Sequence, residues 1–105
     1  MQIMFLVLEI DDSTQIMLKN TVLITGASAG GIGDRLAQEF HGRGLRVFAT
    51  AWSLENVQHL KNLGMEVWSL DVTSKESIDE TVAKVGELTS RSLDFLVNNA
   101  GVGQY

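Results

Sequence analysis

A strand-like run, a glycine-rich turn and a helix-like segment follow one another between Thr21 and Phe40, and this succession constrains the chain more than any other feature. The apolar run Thr21-Val22-Leu23-Ile24 leads into Thr25 to Gly33, reading TGASAGGIG, and Ile32 to Phe40 then carries helical spacing. Gly26 lets the backbone turn sharply out of the strand. Gly30 and Gly31 leave room for a ligand to approach the main chain, and Gly33 permits close packing of helix on strand. The helix N-terminus adds unpaired N–H groups and a partial positive charge. A phosphate suits such a turn, and a dinucleotide pyrophosphate suits it best. A P-loop requires Gly-Lys-Ser/Thr after its glycines, whereas Gly33 is followed by Asp34 and Arg35, so a triphosphate site of that kind is excluded.

The same alternation continues to the end of the chain. In the first helix Ile32, Leu36, Ala37 and Phe40 form an apolar stripe, and Gly42 and Gly44 can end it. Arg46 to Thr50 reads as a second strand. Ser53 can cap a helix whose Leu54, Val57, Leu60 and Leu63 recur on one side, with Gly64 closing it. Glu66 to Leu70 is a third strand. Thr73-Ser74-Lys75-Glu76 has the form of a capping box ahead of Ile78, Val82, Val85 and Leu88. Leu93 to Val97 is a fourth strand running into Asn98-Asn99-Ala100-Gly101. Strands alternating with helices predict an α/β fold, a parallel sheet with helices on both faces joined by right-handed crossovers. Ligands of such sheets sit beyond the carboxyl ends of the strands. Thr25 to Ile32, Thr50 to Ser53, Asp71 with Val72, and Asn98 to Gly101 all fall at strand ends.

With 105 residues the chain is one domain at most, and 45% hydrophobic with 20% charged residues describes a soluble globular segment. The net charge of -5 and the lack of a basic stripe argue against nucleic acid as a partner. The sequence has no cysteine, which removes disulfide and thiol chemistry and is compatible with an intracellular setting. It also has no proline, consistent with loop-rich parts of a larger protein being absent. Met1 to Leu8 is apolar but shorter than the roughly 20 residues of a membrane span, and it lacks the basic start of a signal peptide. Residues 1–16 are expected to be an appended extension, with Met17 as the natural start of the domain. His41 and His59 fall in helices without a carboxylate at useful sequence spacing and read as surface histidines.

TGASAGGIG after VLI, then VFATA, LDVT and VNNAG in this order, resembles the N-terminal half of a short-chain dehydrogenase/reductase. The resemblance runs from Met17 to the end and implies that residues 17–105 are a partial NAD(P)-binding Rossmann-type domain, truncated after its fourth strand. The family pattern is T-G-x-x-x-G-x-G. This chain carries one residue more, so that Gly31-Ile32-Gly33 matches the Gly-Ile-Gly end. The doubled glycine, with RVFATA and LDVT, resembles the fungal NADPH-dependent 1-acyldihydroxyacetone-phosphate reductase-like branch. By that resemblance Gly26, Ser28 and Ile32 would hold the pyrophosphate, Asp71 would accept from the adenine amino group, and Val72 would pack on the ring. Asn98, Ala100 and Gly101 would line the ribose side, with Gly31, Gly33, Thr50 and Trp52 completing the cofactor site. The structural alternatives are that Asp71 caps the next turn and that the Asn98-Asn99 pair ties strand ends together.

Sites that prefer NAD carry an acidic residue at the end of the second strand. Ala51 occupies that position, and Trp52 stands where the resembling branch has Arg, so the resemblance favours NADP with NAD as the alternative. Family catalysis uses a Tyr with a Lys four residues on, preceded by Ser and Asn. None of that set is present, because Tyr105 has no following Lys. The expectation is therefore the dinucleotide-binding portion of an oxidoreductase without its catalytic half. The alternatives are a non-catalytic nucleotide-binding or interaction module, or a gene fragment. A cytoplasmic location is expected, with a lipid-droplet or endoplasmic-reticulum surface implied by the resemblance alone. Self-association through an exposed fourth-strand edge is expected as well.

Overall fold

The computed structural model describes residues 20–99. The expected extension at residues 1–16, and the site positions Ala100 and Gly101, lie outside the described residues. The chain runs β1 (Thr21–Thr25), α1 (Ile32–Gly42), β2 (Arg46–Ala51), a 3-10 turn (Leu54–Val57) continuing into α2 (Gln58–Asn62), β3 (Glu66–Ser69), α3 (Lys75–Thr89) and β4 (Phe95–Asn98). The strands form one parallel sheet in the order β3-β2-β1-β4. Every residue of β1 is buried, which is what a central parallel strand covered on both faces demands.

Successive residues of a strand point to opposite faces, and the core divides accordingly. Val22, Ile24, Val47, Ala49 and Val97 meet α1, the 3-10 turn and α2 through Ala37, Val57 and Leu60, with Leu36 and Phe40 packed beside them. Leu23 and Phe48 meet Val85 of α3 on the other face, flanked by Trp68 and Leu93. Helices therefore cover both faces, as expected. Each fully buried Val or Ile contributes about 1.5–3 kcal/mol through burial, so the centre of the sheet is its firmest part. At the amino ends of the strands, Arg46 makes a bidentate pair with Glu66 at 2.6 and 2.8 Å and donates to the Leu88 carbonyl at 2.9 Å, joining β2, β3 and the end of α3. Thr21 and Asp94 exchange hydrogen bonds, the Thr21 N–H donating to Asp94 Oδ2 at 2.8 Å and the Asp94 N–H to Thr21 Oγ1 at 3.1 Å.

Several local expectations are corrected. The helix expected after Ser53 opens as a 3-10 turn, and Ser53 makes no side-chain cap. The Asn56 carbonyl of this turn accepts the Ala29 N–H at 3.0 Å, which ties it to the glycine turn, and Leu54 and Leu63 are left exposed. The cap of α3 is Ser74, whose hydroxyl accepts the Ser77 N–H, because Asp71 Oδ1 takes both the N–H and the hydroxyl of Thr73. The buried face of α3 is Thr81, Val85 and Thr89, and Val82 is 65% exposed. Both threonines are buried without penalty because Trp68 Nε1 donates to Thr81 Oγ1 and Thr89 Oγ1 donates to the Val85 carbonyl. Ile32 is 46% exposed at the mouth of the glycine turn rather than part of the buried stripe of α1. The fourth strand begins at Phe95, after the Thr21–Asp94 exchange, rather than at Leu93.

Candidate functional site

The strand order sets the site. From β1 the chain steps outward through β2 to β3, then crosses over through α3 to return as β4 on the other side of β1. The order reverses between β1 and β4, and a crevice opens beyond the carboxyl ends of strands at such a point. The turn from Gly26 to Gly31 follows β1 there, and Asn99 follows β4.

The turn leaves β1 at Gly26, which adopts φ 68°, a left-handed conformation that glycine adopts without strain. Ala27 donates to the Thr50 carbonyl at 2.8 Å, Ala29 to Asn56, and Gly31 to the Ser28 carbonyl at 3.1 Å. The β4 side holds the turn as well. Thr25 Oγ1 donates to Asn98 Oδ1 at 3.1 Å, the Asn99 N–H donates to Thr25 Oγ1 at 3.0 Å, and Asn99 Nδ2 donates to the Gly26 carbonyl at 3.0 Å. The Asn98-Asn99 pair therefore ties strand ends together, the structural alternative raised from sequence.

Helix α1 begins at Ile32 after its N-cap Gly31, which makes no side-chain cap, so the N–H groups of its first turn lack a side-chain cap acceptor, the arrangement an anion can complete. Gly31 and Ile32 are exposed beside them and Ser28 is half-buried. Gly33 is buried, and a Cβ there would overlap the Gly26 carbonyl and stand 2.9 Å from Asn99 Nδ2. Its place is therefore in the packing of α1 on β1. Thr50 is also fully buried, with its hydroxyl donating to the Ile24 carbonyl at 3.2 Å, and it supports the crevice from below instead of lining it.

Trp52 follows β2 with 74% of its surface exposed, while Ala51 beside it is buried. Asp71 and Val72 follow β3 and are half-buried. Asp71 Oδ1 accepts from the Thr73 hydroxyl at 2.6 Å and its N–H at 2.9 Å, and the Asp71 N–H donates to Ser77 Oγ at 3.0 Å. The Thr73 hydroxyl first, then the Thr73 N–H, with the Trp52 indole adding to both, hold the Asp71 carboxyl below the ordinary carboxylate range. It thus stays an acceptor at neutral pH, with an oxygen beyond the two bonds to Thr73.

Sequence reasoning missed a hydrogen-bonded cluster around the buried Asp34 behind the turn. Asp34, in the first turn of α1, accepts from the Gly30 N–H at 2.8 Å through Oδ2 and from Gln38 Nε2 at 2.9 Å through Oδ1. His59 of α2 places Nε2 2.7 Å from the same Oδ1. A carboxylate only accepts, so Nε2 carries the proton in this contact. His59 is therefore no free surface histidine. Burial pushes the Asp34 carboxyl up, but the Gly30 N–H, then Gln38 and His59, outweigh it and hold it below its usual range. The partners are 25 residues apart, and Asp34 directly after Gly33 was the one visible sign. A groove along the outer face of α1, between Gly30, Arg35, Glu39 and Arg43, starts at the turn but runs away from the strand ends. Among the described residues, no helix is long and apolar enough to cross a membrane, and no cluster of three or more His, Cys, Asp or Glu side chains could hold a metal ion.

Residues 20–105 match the family model described as short chain dehydrogenase. A short-chain dehydrogenase of Penicillium crustosum is 50% identical over 88 residues, which are 83% of this chain and 32% of the relative. The NADPH-dependent 1-acyldihydroxyacetone phosphate reductase of Schizosaccharomyces pombe is 46% identical over 80 residues, 76% of this chain and 27% of the relative. Among solved structures, a short chain dehydrogenase from Mycobacterium smegmatis superposes with a TM-score of 0.71 at 32% identity, covering 85% of this chain and 39% of that one. The chain thus spans about a third of the length of the curated relatives it matches.

Proposed function

The chain belongs to the short-chain dehydrogenase family, and from that premise we propose that residues 20–105 form the dinucleotide-binding portion of an oxidoreductase that moves hydride between NADPH and a carbonyl or alcohol carbon. The observation that carries this reading is the uncapped start of α1 at the point where strand order reverses, with Asp71 and Trp52 beside it at neighbouring strand ends. The pyrophosphate takes the N–H groups of the first turn of α1 near Gly31 and Ile32, with Gly26 and Ser28 shaping the approach. Adenine lies between Val72 and Trp52 with its amino group toward Asp71, and Asn98, Ala100 and Gly101 border the ribose.

NADP is favoured over NAD because Ala51 puts no carboxylate against a 2'-phosphate. The name of the Schizosaccharomyces pombe relative points the same way. Proton transfer to the substrate oxygen requires a donor within hydrogen-bond reach, and the 105 residues contain no Tyr with a Lys four positions on. In this reading the proton donor is not among these 105 residues.

Calorimetric titration of the 105-residue chain with NADPH and NADH tests the binding, with Gly26→Val as the control that fills the turn. Heat from the parent that Gly26→Val abolishes is expected. Equal heats from the two would mean that the turn serves only the backbone. Incubation with NADPH and a panel of carbonyl compounds should give no oxidation above buffer, and turnover abolished by mutation of this chain would overturn the assignment of catalysis elsewhere.

A further inference from the structure

The glycine turn is one residue longer than the family pattern, and the structure shows what holds the added length. Gly30 stands at φ 86°, and among the described residues nothing lies within 4 Å of where its Cβ would be. Packing therefore does not fix this part of the turn. The hydrogen bonds of the flanking residues fix it only in part, since Ala29 is tied to Asn56 and Gly31 to Ser28. The Gly30 N–H goes to the Asp34 carboxylate.

That carboxylate is itself held from two sides. Its side chain is 8% exposed, and Gln38 within α1 and His59 from α2 both reach Oδ1. A carboxylate with one oxygen on the turn and the other gripped by two donors cannot rotate without breaking several bonds. We propose that Asp34, seated by His59, is the positioning residue of the doubled-glycine turn, holding Gly30 so that the turn and the start of α1 keep the shape a dinucleotide pyrophosphate requires. The proposal rests on the nucleotide reading above.

One consequence follows for the ligand. Because Asp34 takes the Gly30 N–H, and Ala29 and Gly31 donate within the protein, these three N–H groups are committed. The anion is left the N–H groups at the start of α1, where the helix dipole favours it. A negative side chain in the same turn opposes the anion electrostatically. Its presence costs affinity unless the positioning outweighs the repulsion, and this sets the two effects against each other in a single measurement.

The test is titration of the 105-residue chain and its variants with NADPH, together with amide exchange at Gly30 by NMR. Asp34→Ala should weaken NADPH binding about tenfold, the equivalent of one or two lost charge-assisted hydrogen bonds, and should speed exchange at Gly30. Asp34→Asn keeps an acceptor for Gly30 and should recover most of the affinity. Should Asp34→Ala fail to fold, His59→Ala decides, since it leaves the Gly30 bond intact but loosens the carboxylate; weaker binding and faster Gly30 exchange are expected. Tighter or unchanged binding in Asp34→Ala, or in His59→Ala, overturns the proposal, as does an Asn variant as weak as the Ala one. A parent chain that binds neither NADPH nor NADH sinks the nucleotide reading itself, an outcome separate from equal affinities in parent and variants.

Discussion

Gly33 and Gly26 approach so closely that a Cβ on Gly33 would overlap the Gly26 carbonyl, with the Gly26 carbonyl carbon and Asn99 Nδ2 each only 2.9 Å away. The contact brings the start of α1 against the end of β1, and of the three neighbours two are backbone atoms and the third is a hydrogen-bonded side chain, so none steps aside freely. Gly33→Ala is expected to destabilise the fold by about 1–3 kcal/mol, the usual range for overpacking a tight contact. Gly42→Ala, at the open end of α1 where nothing lies within 4 Å of the added Cβ, is expected to be stabilising by about 0.5–1 kcal/mol. Denaturant melts on both variants measure this, and equal effects would show that the close approach relaxes freely.

Stability should also depend on pH through Asp34. Its carboxyl is held below the ordinary value of 3.8 in the folded chain, so between the two values the unfolded chain binds more protons. A depressed carboxyl contributes stability that is complete above the unfolded value and lost as pH falls through the folded one. The stability gap between the parent and Asp34→Asn is therefore expected to be constant well above 3.8 and to close below it. His59 and Gln38 face the same carboxylate, so the series is repeated in His59→Gln to remove the imidazole from the contact. Urea melts across pH supply the numbers, and a gap that does not change with pH in either background would count against a depressed Asp34.

The frame of the fold was legible because its signals are local. The run Thr21 to Ile24, the glycine turn and the alternation of strands with helices are each visible within a short window, and β1 to β4 lie within two residues of where they were expected. The contact face of α3 was legible only at Val85. Apolar spacing pointed to Ile78 and Val82, whereas Thr81 and Thr89 turn inward because Trp68 and the Val85 carbonyl satisfy their hydroxyls. Capping failed for a related reason. Thr73 has the right spacing, but Asp71 captures it and leaves the role to Ser74. The Asp34–His59 pair joins elements that are neighbours only after the sheet has formed, so no window of sequence contains it.

Trp52 offers a direct probe of cofactor choice. It stands exposed after β2, next to the buried Ala51, on the ribose side of the proposed site. A guanidinium there would fork onto phosphate oxygens through charge-assisted bonds worth about 1.5–3 kcal/mol. Trp52→Arg is expected to raise affinity for NADP about tenfold or more while leaving NAD within a few-fold of the parent. Parallel titrations with the two cofactors measure the ratio, and an unchanged NADP affinity would mean that residue 52 does not face the 2'-phosphate.

The sheet edge at β4 leads to a prediction about association. Among the described residues β4 pairs with β1 alone, so its other side presents backbone donors and acceptors without a strand neighbour. Leu96 lies opposite Leu23 in the parallel register and so shares the face that α3 covers, yet it is 38% exposed, and Ile78 and Val82 of α3 are exposed on the same side of the sheet. An unpaired edge beside exposed apolar side chains templates further strand pairing. The 105-residue chain is therefore expected to self-associate with rising concentration. Leu96→Lys places a charge on that edge strand at a side chain that already reaches solvent, so it should reduce association without unfolding the sheet, and Val82→Glu should act in the same direction with a smaller effect. Light scattering on a size-exclusion column over a concentration series, with a melt to confirm that each variant folds, gives the answer. A parent that stays monomeric throughout, or associates equally with Lys at position 96, would place the contact elsewhere than on β4.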